Sequence, residues 1–191
     1  PTKNKEDLYL RLKDETYEYI KQVVIDNFIY YKIRGIPINP FEIAITLGIT
    51  IIPYSALSER ARELSLKTSV DGYSVPGNDG SYTIYYNDKC RSYGRVKNTI
   101  MHEIAHFLLG HTQDGPSEEA EANFFAKYAL APPPLIHNMR GEINPHTITE
   151  VFQISVSAAL NAFDYYQKWL RFGGDNYTEY EIQLLELFEV A

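Results

Sequence analysis

Apolar and polar positions along this chain follow two periods, one helical and one alternating, and the changes between them mark out its elements. From Asp7 to about Arg34, Leu8, Leu12, Tyr19, Val23 and Phe28 recur at helical spacing until "RGIP" stops the pattern, which predicts a long amphipathic helix. Asn39 and Pro40 are placed to open a short helix, "FEIAITLG", closed by Gly48 and followed by a β-branched strand, "ITII", that ends at Pro53. Between Val70 and Asn87, Asp-Gly and Gly-Asn-Asp-Gly turns accompany stretches rich in Tyr, Thr, Ile and Val, as in a β-hairpin. Its second strand, Ser81 to Asn87, sets Tyr82, Ile84 and Tyr86 against Thr83 and Tyr85, so both faces are expected to be partly covered.

A basic connection, "KCRSYGRVK", contains Lys89, Arg91, Arg95 and Lys97 and reads as a solvated loop. It leads into the apolar helix "TIMHEIAHFLLG", which closes at Gly110. After "HTQDGP" a further helix runs from about Ser117 to Leu130 and is ended by "PPP". From about Thr147, the apolar positions Val151, Ile154, Val156, Leu160, Phe163, Tyr166 and Leu170 predict two more helices, broken at "GGDN". The fold class expected is α+β: a small mixed or antiparallel sheet with two helices packed beside it and the long first helix around it. Residues 1–146 form the core unit in this reading, and 147–191 a helical appendage packed on it.

Composition narrows the function classes. A chain of 191 residues, 45% hydrophobic and 23% charged, can bury one sizeable core, and its 16 Tyr and 9 Phe argue against disorder. A formal charge of -7 offers no basic surface for nucleic acid phosphates, so no direct nucleic acid contact is expected, and a basic protein partner suits it better. Cys90 is alone, which excludes an internal disulfide framework and reads as an inert core residue in a reducing compartment. No apolar run approaches the roughly 20 residues of a membrane helix, and "PTKNKEDLYLRLKDETYEYI" is charged throughout, so a cytoplasmic chain is expected.

The candidate chemistry lies in "TIMHEIAHFLLGH", where an apolar helix carries two imidazoles and a carboxylate. Buried without partners they would cost several kcal/mol, so they satisfy one another or a metal ion satisfies them. His102 and His106 stand one turn apart and project from one face, while Glu103 sits about 100° round the axis, within reach of a water on the same ion. Zinc suits this donor set, because it takes nitrogen and oxygen ligands and leaves a fourth position for water in catalytic sites. An HExxH arising by chance in this composition has an expectation of at most about 0.02 occurrences. A third ligand should come from another element, and "SEEAEANFFAKYALAP" offers Glu118, Glu119 and Glu121. Glu119 shares a helix face with Ala122, Asn123, Ala126 and Leu130, whose small members would allow close approach to the histidine helix, with Asn123 able to hydrogen-bond a ligand from behind. Glu121 shares the opposite face with Phe124, Phe125 and Tyr128 and is the reserve.

Four stretches, "NPFEIAITLGITII", "YTIYYND", "RVKNTIMHEIAHFLLGH" and "EEAEANFFAKYALAP", occur together and in the order of the ImmA/IrrE metallo-endopeptidases, a family the chain resembles over most of residues 39 to 132. HExxH alone is shared by many zinc proteases, whereas its pairing with an ExxANxFA helix ending in proline is considerably more specific. The resemblance implies a zincin-like core in which His102, His106 and Glu119 hold Zn2+ and Glu103 acts as base and acid. Asn98 stands where an aromatic residue is usual, and "YALAP" replaces a more aliphatic ending; neither touches a proposed ligand. His111 resembles a histidine often present in relatives at that position.

In the mechanism this implies, zinc polarises water and the scissile carbonyl, and Glu103 takes the proton and passes it to the leaving amine. Oxyanion donors are open among Tyr73, Tyr82, Tyr86, His137 and His146, and the strand Ser81 to Asn87 is a candidate to pair with an extended substrate. The family further implies narrow specificity for a helix-turn-helix repressor of a mobile element or stress regulon. Two other readings compete: a non-catalytic module that binds a metal or a repressor, and a DNA-binding helix-turn-helix over Ile148 to Ala162. Intact Glu103 speaks against the first, and the lack of any Lys or Arg in that segment against the second.

Overall fold

The computed structural model describes residues 11–90, 92–113, 115–173 and 176–190. Helix α1 (Asp14–Tyr31) buries Ile20, Val24, Ile25 and Phe28. The stripe that faces the core is therefore turned by about one residue from the expected one: Val23 is only partly buried and Tyr19 is 58% exposed. The expected start at Asp7 and Leu8 lies outside the described residues. Helix α2 (Pro40–Thr46) opens as anticipated, with the Asn39 side chain accepting the Phe41 N–H at 3.1 Å and Pro40 in the first turn, where no backbone donor is needed.

Strand β1 (Thr50–Pro53) follows, then a 3-10 turn and helix α3 (Glu59–Thr68), which the periodicity does not reveal. Its only buried residue is Ser65, so it carries no apolar stripe to read; the signal present is Ser58, whose hydroxyl caps it. The hairpin forms β2 (Gly72–Pro76) and β3 (Tyr82–Tyr86), and the sheet order is β1-β3-β2, with β3 parallel to β1 and antiparallel to β2. The hairpin's second strand is thus the middle of the sheet. Its backbone bonds are taken on both sides, which removes it as a platform for an extended substrate and leaves β2 at the edge.

Helix α4 (Tyr93–Leu108) packs across β2 and β3 and against α2, with Ile100, Met101, Ile104 and Ala105 fully buried. Burying an isoleucine contributes about 1.5–3 kcal/mol, so the apolar residues around the histidines fix how this helix is rotated. Helix α5 (Pro116–Leu130) lies on α4 through Ala122 and Ala126, both fully buried, whose small side chains permit a close crossing.

The prolines after α5 both end it and open α6 (Pro133–His137). The rest forms α7 (Pro145–Phe152), α8 (Val156–Arg171) and α9 (Glu179–Leu187), so the first of the two expected helices is in fact two. Gln153 takes a left-handed conformation, φ 51°, and the Ser155 hydroxyl caps α8, which breaks the run although its apolar periodicity continues. Gly174 and Asp175 of the "GGDN" break lie outside the described residues, as does Arg91.

These helices are tied to the sheet unit at specific points. The start of α4 touches the α7–α8 turn so closely that a Cβ at Gly94 would stand 2.3 Å from the Ser155 nitrogen. Lys97, expected in a solvated loop, is buried in α4 and donates to the Phe152 carbonyl at 3.0 Å at the end of α7; burial pushes its ammonium down to about 8. The Tyr180 hydroxyl donates to Glu18 of α1 at 2.5 Å. Cys90 is half-buried and free, packed against the core. No described helix is long and apolar enough to cross a membrane.

Candidate metal centre

The rotation imposed on α4 by its buried isoleucines turns His102 and His106 toward the first turn of α5, where Glu119 sits. The two Nε2 atoms are 3.1 Å apart; Glu119 Oε1 is 3.4 Å from His106 Nε2 and Oε2 is 3.5 Å from His102 Nε2. A tetrahedral ion with ligands at 2.0–2.1 Å needs donor atoms about 3.3 Å apart. The two Glu119 distances end on different carboxylate oxygens; with one ligand atom taken from each residue, the three lie within 4.8 Å of one another, close enough for small side-chain adjustments to bring them onto one ion, and two imidazoles with a carboxylate are a donor set that zinc takes. One N–H shared between the rings would also satisfy them, so metal content is the deciding measurement. His106 is 6% exposed, whereas the Glu119 side chain is 47% exposed and leaves the group open to the cleft.

Glu103 points elsewhere, as its place on the helix dictates. It is buried and accepts the Ser74 hydroxyl at Oε2, 2.7 Å away, and the same serine oxygen lies 2.8 Å from the Tyr82 hydroxyl. The edge strand β2 thus holds the carboxylate from the side opposite α5. Burial, followed by the nearby Tyr73 and Glu103, pushes the Tyr54 phenol up to about 12, so it is a neutral neighbour.

A cleft of about 460 Å3 opens over these groups, running along Gly72, Tyr73 and Ser74 of β2 and bounded by Asn98 on α4 and Asn123 on α5. Its charged lining is Asp71, Glu103 and Glu119, with no Lys or Arg among the described lining residues. Asp71 pairs with Arg95 at 2.7 Å.

Glu121 does not join Glu119. It faces His111, with Oε2 3.2 Å from Nε2, while His111 Nδ1 lies 3.0 Å from His106 Nδ1. Asn123 lines the cleft, but the partner behind the His106 ring is His111. Of the residues named as oxyanion donors, Tyr73 lines the cleft with its hydroxyl 3.0 Å from Ser65 Oγ, and Tyr82 contacts Ser74. Tyr86 packs edge-on against Phe41, His137 meets the Tyr166 hydroxyl at 2.9 Å, and His146 is exposed beside Glu150 at 3.4 Å. Sequence reading passed over Ser74, because its place beside Glu103 depends on how β2 crosses α4 and on no local pattern.

A family model described as Peptidase M78, IrrE N-terminal-like domain, matches residues 46–164. Comparison with curated proteins returns no match. The matched span contains the sheet, the helices that carry His102, Glu103, His106 and Glu119, and the α7–α8 turn.

Proposed function

The chain belongs to the M78 peptidase family, and from that premise we propose that it is a zinc-dependent endopeptidase in which His102, His106 and Glu119 hold the ion and Glu103 is general base and acid. The observation that carries this reading is the donor triangle of His102, His106 and Glu119, brought together from two helices, whose ligand atoms lie within 4.8 Å of one another. Bound zinc supplies a Lewis acid that polarises a peptide carbonyl and acidifies water.

The protein's own groups do the rest. Glu103, held by Ser74 at Oε2, receives the proton from water and delivers it to the departing amine. A substrate laid as an added strand on β2 would place its backbone along the cleft beside that carboxylate, replacing the role expected of the buried middle strand β3. Replacing Ser74 by Ala removes a hydrogen bond to a charged group, worth about 1.5–3 kcal/mol. We expect kcat to fall by roughly 10- to 100-fold with bound zinc unchanged, read by steady-state kinetics beside metal analysis.

The substrate proposed is a basic helix-turn-helix repressor of a mobile element or stress regulon, met in the cytoplasm. Net charge of -7 and a cleft whose charged lining is carboxylate support a basic partner. The test combines metal analysis of the purified protein with cleavage assays on helix-turn-helix proteins encoded beside it. Stoichiometric zinc and a single chelator-sensitive cut in one of them are expected. Absence of bound zinc at micromolar supply would remove the reading.

A further inference from the structure

We propose that His111 and Glu121 are positioning residues for the metal centre, a hydrogen-bonded relay that holds the His106 ring and fixes which of its nitrogens is free to bind. The inference rests on the zinc reading above. It begins in the backbone. Gly110, at φ 68°, ends α4 in the left-handed conformation; its N–H bonds to the Phe107 carbonyl at 3.2 Å, and the His111 N–H returns to the His106 carbonyl at 3.0 Å. This pair of bonds is a Schellman turn, and it is why a histidine five residues past a ligand can fold back onto it. The turn sets the His111 ring against His106, with Nδ1 3.0 Å from Nδ1 and ring centroids 5.0 Å apart. The far side of His111 meets Glu121 Oε2 at 3.2 Å, and Ser117 Oγ reaches the other Glu121 oxygen at 3.4 Å. The His111 side chain is only 8% exposed, so its ring nitrogens depend on these partners rather than on water.

The protons along this row can be arranged in only one way that leaves His106 Nε2 able to bind a metal. Nε2 must present a lone pair, so Nδ1 carries the hydrogen and donates to His111 Nδ1. His111 then holds its own hydrogen on Nε2 and donates it to Glu121 Oε2. Glu119 and Glu121, two residues apart and on different faces of α5, thereby serve the same histidine from opposite ends: one at the ion, the other through His111. The opposite tautomer of His111 would set two N–H groups head to head or force the His106 proton onto Nε2, where it blocks the ion.

Zinc affinity, measured on metal-free protein by competition with a chromophoric chelator, and the visible spectrum of the Co2+-loaded protein test this directly. His111→Phe keeps a ring and loses both hydrogen bonds; affinity should drop about 10- to 100-fold and the Co2+ bands should shift. His111→Asn, whose amide oxygen can take the place of Nδ1 as acceptor, should recover most of the loss. Glu121→Gln, at a partly exposed site, should weaken binding by about 3- to 10-fold and keeps the test decisive if His111→Phe does not fold. Affinities within about twofold of wild type with an unchanged Co2+ spectrum would overturn the relay, as would an Asn variant no better than Phe. Wild-type protein that takes up no zinc would instead sink the metal centre itself, and the relay with it.

Discussion

Glu103→Gln is expected to lower peptide cleavage by about 100- to 10,000-fold, the range for losing a positioned general base, while zinc content and melting temperature stay at wild-type values. The reasons are geometric. Glu103 lies outside the donor triangle, so amidation removes no ligand, and glutamine keeps the length and the carbonyl oxygen that accepts the Ser74 hydroxyl. What it loses is the proton-accepting carboxylate. The group is buried at 8% exposure, so bulk water cannot readily replace it as base. Single-turnover cleavage of an identified substrate, run beside metal analysis of the same preparation, reads both quantities. A variant that binds zinc and cleaves at the wild-type rate would remove Glu103 from the chemistry. A variant that still acts on its target in cells without cleaving it would favour the non-catalytic binding module instead.

The parts of the fold legible in the sequence were those whose local pattern and tertiary role coincide. Helices α4 and α5 show apolar periodicity because they pack on each other and on the sheet, and the hairpin shows its turns because Asp-Gly and Asn-Asp-Gly have few other conformations. Helix α3 was invisible for the converse reason: it buries only Ser65, so nothing repeats. Lys97 was misplaced in a solvated loop because a lysine signals exposure, yet the site that receives it is the carbonyl end of α7, brought over by the α7–α8 turn. Splitting of the run after Thr147 hinged on Gln153, a residue with no special preference for the left-handed conformation it adopts. That β3 is the middle strand could not be read locally at all, since strand order is set by the crossover from β1 through α3. At the candidate metal centre, 100° arithmetic separates Glu119 from Glu121, but the sequence holds no sign that the second carboxylate meets the back of the same histidine pair through His111.

Glu119→Ala is the second large effect. Two imidazoles alone leave a tetrahedral ion half-coordinated, and the loss in zinc affinity should exceed the roughly 100-fold that an outer partner can cost. The change need not disturb folding. Glu119 is 47% exposed, starts a helix whose packing rests on Ala122, Phe125 and Ala126, and removes no buried apolar group. Thermal melts therefore separate metal from fold. Ligand present at 100 times its dissociation constant stabilises the folded state by about 2.7 kcal/mol, so zinc should raise the wild-type melting temperature by several degrees. The variant should melt like metal-free wild type whether or not zinc is added, and cleavage should vanish with the shift. Glu118→Ala is the matched control: it sits one residue away on the same exposed first turn, pairs with Gln113, and stands outside the donor triangle, so it should keep both the shift and the activity. If Glu119→Ala retained the zinc-dependent shift at wild-type zinc concentrations, the third donor would have to come from elsewhere in the cleft, and the convergence of α4 and α5 on one ion would lose its chemical meaning.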